Sequence, residues 1–231
     1  MKENQPVCVV TGGTSGIGRA TVKLFSQQGF SICTCGRSES KLQELRSCDS
    51  ISEQDFLAQV DLADIEQTKK FVQQAIESFG RIDVLVNNAA VAPLEKLEDY
   101  SAQQFEQLID LNIRSTFYLT QLAWQQMVQQ HSGTVVNISS MAAVDPFPGF
   151  SIYGASKAWS ELMTTALAAE GKDHGIRVYS VRPGAVETSL LRGLFPDFPP
   201  EQCVTPDEVA QKVWDCVSGS VNSGTHIQVA R

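Results

Sequence analysis

Tyr153 and Lys157 stand four residues apart in the run Tyr153-Gly154-Ala155-Ser156-Lys157, at the opening of a helical stretch. At that spacing two side chains share one helix face, one turn apart. A free tyrosine has a pKa near 10, about three units too high for proton exchange near neutrality. An ammonium beside it favours the phenolate and lowers that value. The pair is thus competent to give and take a proton. The spacing alone also occurs on solvated helix faces, so the decision rests on what surrounds it. Ser139 and Ser140 follow an apolar run at 134–138, and Ser140 lies thirteen residues before Tyr153. Asn112 falls in Asp110-Leu111-Asn112-Ile113, and Asn87-Asn88-Ala89-Ala90 closes another apolar run.

A second chemistry is written near the start. Thr11-Gly12-Gly13-Thr14-Ser15-Gly16-Ile17-Gly18 links a short apolar run to a helical one. A glycine-rich turn there brings backbone close to a pyrophosphate, and the N–H groups and dipole of the following helix face its charge. The next apolar run ends in Cys35-Gly36-Arg37-Ser38. A site for NAD usually carries an acid here to bond the ribose 2′-hydroxyl. This chain has none, and Arg37 is suited to a 2′-phosphate, which favours NADP(H). The plainer alternative for Arg37 is a solvated loop cation.

These residues need a scaffold. Runs at 7–11, 31–35, 56–60, 83–87, 134–138, 177–181 and 226–229 are short and apolar, as strands buried on both faces are. Helical patterns fill 17–28, 64–79, 101–130, 156–172 and 206–217, the third as one bent helix or two. Alternating units of this kind imply an α/β fold, a doubly wound, seven-stranded parallel sheet with helices on both faces. The strand ends that carry these motifs then share the edge where such sheets bind ligands.

The 231 residues fit one domain, with 189–205 as its least regular stretch. The formal charge is −8, which argues against nucleic acid or an anionic membrane surface as partner. The polar residues 1–6 carry no signal-peptide pattern, and no apolar run approaches the roughly 18 residues of a span, so a cytoplasmic location is expected. Six cysteines lack C-x-x-C spacing, which points to free thiols in a reducing compartment and to no metal site. No histidine sits in a motif, which disfavours a Ser–His–Asp hydrolase. Glu161 and Glu170 read as helix-face residues without a partner.

Taken in order, T-G-x-x-x-G-x-G, N-N-A, Asn, Ser, Y-x-x-x-K and P-G resemble the compact short-chain dehydrogenase/reductases, closely to about Thr188 and more loosely beyond. The resemblance implies a Rossmann fold and a homodimer or homotetramer acting on a small-molecule carbonyl or alcohol. It implies that Tyr153 is the general acid/base, that Lys157 lowers its pKa and bonds the nicotinamide ribose, that Ser140 holds the substrate oxygen, and that Asn112 positions a water. Ser139 is the competing serine. Gly12, Thr14, Ser15, Gly16, Ile17 and Gly18 would take the pyrophosphate, and Arg37 and Ser38 the 2′-phosphate. Asp61 and Leu62 would meet adenine, Asn88, Ala89 and Ala90 would line the cofactor, and Pro183, Gly184, Val186 and Thr188 would frame the carboxamide. Ala90 departs from the family's usual glycine. Apolar residues at 141–152 and in the lid at 189–205 suit an apolar or aromatic substrate, or equally pack on the sheet or a subunit; Arg192 reads first as a solvated lid cation and second as a cation for an anionic substrate. The competing reading is a non-catalytic NADP-binding regulator or scaffold on the same fold.

Overall fold

Seven parallel strands form one sheet in the order β3-β2-β1-β4-β5-β6-β7. The structure is a computed structural model that describes residues 5–231, so most of the polar N-terminal segment lies outside the described residues. In chain order the elements are β1 (Val7–Thr11), α1 (Gly16–Gln27), β2 (Ser31–Gly36), α2 (Glu39–Arg46), β3 (Phe56–Gln59), α3 (Ile65–Phe79), β4 (Val84–Asn87), α4 (Ala102–Leu108), α5 (Ser115–Gln130), β5 (Gly133–Ile138), α6 (Ser151–Glu170), β6 (Ile176–Pro183), α7 (Ser189–Leu194), α8 (Pro206–Val217) and β7 (His226–Val229). All seven expected strands are present, and the sheet is doubly wound about the β1–β4 junction.

Alternation along the strands feeds two cores. Val10, Phe25, Tyr179 and Val213 belong to the one under α1 and α8. Val9, Phe71, Leu119, Met127 and Val178 belong to the other, under α3 and α5. Cys33 and Cys35 share that second face, as their spacing requires, and burial raises both thiols, Cys35 to about 12. Among the described residues no helix is long and apolar enough to cross a membrane.

Four helical details differ from the sequence reading. α2 was not anticipated, because only Leu42 and Leu45 of its eight residues are buried and the rest are polar. The stretch expected as one or two helices is α4 and α5 joined by a π-helical turn, Ile109–Arg114, which carries Asn112; such turns recur at functional sites. α6 begins at Ser151, five residues early, which places Tyr153 in its first turn. The irregular 189–205 segment contains α7, capped by Thr188, whose hydroxyl accepts from Leu191 N–H.

Candidate active site

The glycine turn between β1 and α1 has a shape only glycine supplies. Gly12 and Gly16 have φ of 68° and 50°, in the left-handed region. A Cβ on Gly18 would collide with the Gly12 carbonyl, so the turn and the first turn of α1 touch backbone to backbone. Ser15 caps α1 without a side-chain bond, and no acid stands in the first turn, so no side chain competes for its N–H groups. Asn88 locks the neighbouring strand end to this turn. Its amide donates to the Thr11 carbonyl at 2.8 Å, while the Asn88 and Ala89 N–H groups donate to Thr11 Oγ1 at 2.9 and 3.0 Å.

One cleft of about 550 Å³ runs across the strand ends. Every residue expected to meet cofactor lines it except Gly18, which packs behind the turn. At the β2 end Arg37 and Ser38 are joined by Lys41, which the sequence reading missed. Ser38 caps α2 by accepting from Lys41 N–H, and that cap brings the lysine to the wall. Arg37 and Lys41 are exposed, and neither has an ion-pair partner among the described residues. The donors, open backbone and two cations fit the diphosphate and 2′-phosphate of a dinucleotide.

Across the sheet, Ser140, Tyr153 and Lys157 line the same cleft. Lys157 Nζ donates to the Ile138 carbonyl at 2.8 Å and lies 5.8 Å from the Tyr153 ring centroid. The expected lowering of Tyr153 by Lys157 is not what this geometry gives. Burial raises the Tyr153 phenol above 10, with a hydrogen bond to Ser140 acting against it. Burial also lowers Lys157, to about 8. A low-dielectric pocket favours the neutral form of both groups.

Asn112 is brought near but does not line the cleft. Its Oδ1 accepts from Val91 N–H at 2.9 Å, and its Nδ2 donates to the Val91 carbonyl at 2.9 Å and to Ser156 Oγ at 3.2 Å. The side chain therefore staples the loop after β4 to the π turn and α6. Ser139 is committed elsewhere, donating to Glu161 Oε1 at 2.7 Å.

Glu161 is a correction to the sequence reading. It is buried, and Arg182 donates to both its oxygens, at 2.8 and 2.5 Å. It lies one turn beyond Lys157 on the inward face of α6, a spacing that marked it, but its partner is on β6. Burial works to raise its carboxyl, yet the bonds from Arg182 and Ser139 outweigh that and hold it below the ordinary 4.5. Glu161→Gln leaves Arg182 desolvated without its charge partner and is expected to cost about 3 kcal/mol in urea unfolding. A group with a lowered folded pKa contributes fully above the unfolded value, so this contribution drains away as pH falls below about 4.5. An unfolding midpoint unchanged by the substitution at pH 7 would contradict it.

The remaining wall is apolar. Ala92, Phe150, Leu191, Leu194 and Phe195 line it beside Tyr153. Phe150 packs on Tyr153 at 5.1 Å between centroids and on Phe195 at 6.2 Å. Arg192, the cation proposed for an anionic substrate, does not line the cleft. It pairs with Glu187, with Nε at 2.7 Å, and donates to the Phe198 carbonyl at 2.6 Å.

A parallel, doubly wound sheet with a glycine turn at β1, and a serine, tyrosine and lysine across the same cleft, defines the dinucleotide-dependent oxidoreductase class. Comparison with known proteins narrows this. The short chain dehydrogenase profile matches residues 6–198, and the chain belongs to that family. It is similar to an uncharacterized oxidoreductase of Staphylococcus epidermidis, 32% identical over 99% of this chain and 96% of that protein. It is equally similar, 32% over 92% of this chain and 90% of the relative, to a 3-oxoacyl-acyl-carrier-protein reductase of Thermotoga maritima. Among solved structures, a short chain dehydrogenase/reductase family protein superposes with a TM-score of 0.90, 33% identity and coverage of 99% and 97% of the two chains. ElxO with NADP bound gives 0.86 and 27%, covering 98% and 97%. The family assignment makes this chain an oxidoreductase, and a nicotinamide cofactor is consistent with its neighbours.

Proposed function

We propose that this protein interconverts a small carbonyl compound and its alcohol with NADP(H), with Tyr153 as general acid/base. The observation that carries this reading is that Ser140, Tyr153 and Lys157 line the cleft that also contains the glycine turn and Arg37. When bound, a nicotinamide supplies the two-electron chemistry. The chain's own residues bind, orient and move the proton. Gly12, Thr14, Ser15, Gly16 and Ile17 receive the diphosphate, with Gly18 supporting the turn from behind. Arg37, Ser38 and Lys41 receive the 2′-phosphate, and Asp61 and Leu62 flank the adenine. Asn88, Ala89 and Ala90 form the floor, and Pro183, Gly184, Val186 and Thr188 the nicotinamide end.

At the reacting end Ser140 Oγ and the Tyr153 hydroxyl hold the substrate oxygen between them. Burial keeps Tyr153 a phenol at neutral pH, so reduction starts from the form that donates. Lys157 orients the ribose and returns a proton to Tyr153. Asn112 acts through the main chain of its π turn, since its amide is consumed by Val91 and Ser156. Segment 189–205 acts as a lid over an apolar or aromatic substrate.

The choice of NADP(H) rests on Arg37 and Lys41. Arg37→Asp is expected to weaken NADPH roughly ten- to hundredfold, the worth of a charge-assisted bond, and to leave NADH unchanged or tighter. Titration calorimetry with both nucleotides measures this. An unaltered NADPH/NADH ratio sinks the assignment.

A further inference from the structure

The reacting end of the cleft has no free positive charge. Its one charged wall residue is Lys157, whose ammonium is bonded to the Ile138 carbonyl at 2.8 Å, one helical turn from Tyr153. The other charged residues of the cleft, Arg37, Lys41 and Asp61, follow β2 and β3, away from the reacting end. Arg192 has all of its guanidinium nitrogens engaged by Glu187, Pro196 and Phe198. What faces the reacting atoms is aromatic and aliphatic. Phe150 and Phe195 line the cleft with centroids 6.2 Å apart, and Phe150 continues onto Tyr153; Phe147, which does not line the cleft, packs on both at 4.6 and 5.9 Å. Leu190 of the lid also lines the cleft while 49% exposed, an apolar surface left for a ligand to cover.

The loops that carry this wall are acidic. Glu95 is bound to the aromatic segment through its N–H on the Gly149 carbonyl at 3.0 Å. Asp145 lies just before Phe147 and Phe150 in their segment, and Asp197 and Glu201 follow Phe195 in the lid. None of these four has an ion-pair partner among the described residues, and Lys96 is the one cation on these loops outside the Glu187–Arg192 pair. An anionic substrate therefore meets an apolar wall whose one cation, Lys157, is already bonded to the Ile138 carbonyl, carried on loops of the substrate's own sign. An acyl group on a phosphopantetheine arm adds a phosphate of that same sign.

We propose that the substrate of this site is a free, uncharged or cationic aromatic carbonyl compound, and that carboxylates and acyl groups tethered to a phosphopantetheine arm are excluded by charge. This rests on the carbonyl-reductase reading of the site and departs from the substrate in the name of the Thermotoga relative. The step is the same as above: the carbonyl carbon gains hydride from the reduced nicotinamide, and its oxygen gains the Tyr153 proton.

The test uses the full chain, NADPH and two substrate pairs matched except for charge. The first is methyl 4-formylbenzoate against 4-formylbenzoate. The ester is expected to have at least roughly tenfold the kcat/KM of the carboxylate, since the latter buries an unpaired charge. The second is the 3-oxobutanoyl thioester of N-acetylcysteamine against the same acyl group on an acyl carrier protein, with the free thioester the faster. Leu190→Arg, which adds a cation to the lid, is expected to narrow the first gap. Equal or faster turnover of the carboxylate or the carrier-bound group overturns the proposal while leaving the reductase reading intact. NADPH binding without reduction of any of the four rejects the reductase reading, and this proposal with it.

Discussion

Tyr153→Phe is expected to lower kcat for carbonyl reduction by roughly 10³- to 10⁴-fold, with NADPH affinity changed less than twofold. The substitution removes one oxygen. The ring stays in place against Phe150, at 5.1 Å, so neither the wall nor α6 is disturbed. Lost with the oxygen is the proton that, on the proposed reading, the substrate oxygen receives. On that reading the diphosphate lies at the glycine turn and the N-terminus of α1, across the cleft from Tyr153, so binding is expected to survive. Steady-state NADPH oxidation and fluorescence titration separate the two effects. Retention of more than a tenth of the activity would assign proton transfer elsewhere.

Lys157→Met is expected to abolish activity and at the same time stabilise the fold. The ammonium is buried, and its pKa stands at about 8 in place of 10.5. For a lysine lowered in this way the penalty is fully present below pH 8. Stability then rises with pH from 8 toward 10.5, because the unfolded chain binds the extra proton. The shift corresponds to about 3 kcal/mol. Methionine fills similar space without charge, and forfeits only the bond to the Ile138 carbonyl, worth about 1 kcal/mol. A net gain of about 2 kcal/mol at pH 7 follows, shrinking as pH approaches 10. On the proposed reading Tyr153 loses the group that returns its proton, so activity is expected to fall by at least about a hundredfold. Paired urea curves at pH 7 and 10 measure the first effect. A destabilised variant at pH 7 would mean the ammonium is better solvated than its burial indicates. Such an exchange of stability for function is common where charge is held in an active site.

Much of this site was legible in the sequence, for local reasons. The glycine turn is a contiguous pattern, and each strand end is marked by a short apolar run that stops. Tyr153 and Lys157 share a face by spacing alone. What escaped is non-local or lacks periodicity. α2 buries just Leu42 and Leu45, so its pattern is too thin to announce a helix, and Lys41 went unseen with it. Glu161 and Arg182 pair across α6 and β6, 21 residues apart, and nothing in either segment names the other. The contest between Ser139 and Ser140 turns on which way each hydroxyl is spent, and only the Ser139–Glu161 bond reveals that. Spacing brings an ammonium near a phenol, but it does not report burial, which raises the phenol and lowers the ammonium.

The central claim is that this cleft moves a proton through Tyr153 during NADPH-dependent reduction. The most direct measurement is single-turnover absorbance at saturating NADPH with methyl 4-formylbenzoate, comparing the unaltered protein with Tyr153→Phe. The account predicts loss of the reduced-nicotinamide signal with stoichiometric alcohol in the first, and a rate lower by roughly 10³-fold or more in the second. Tight NADPH binding by the unaltered protein with no alcohol formed would contradict it and mark the chain as a nucleotide-binding regulator instead.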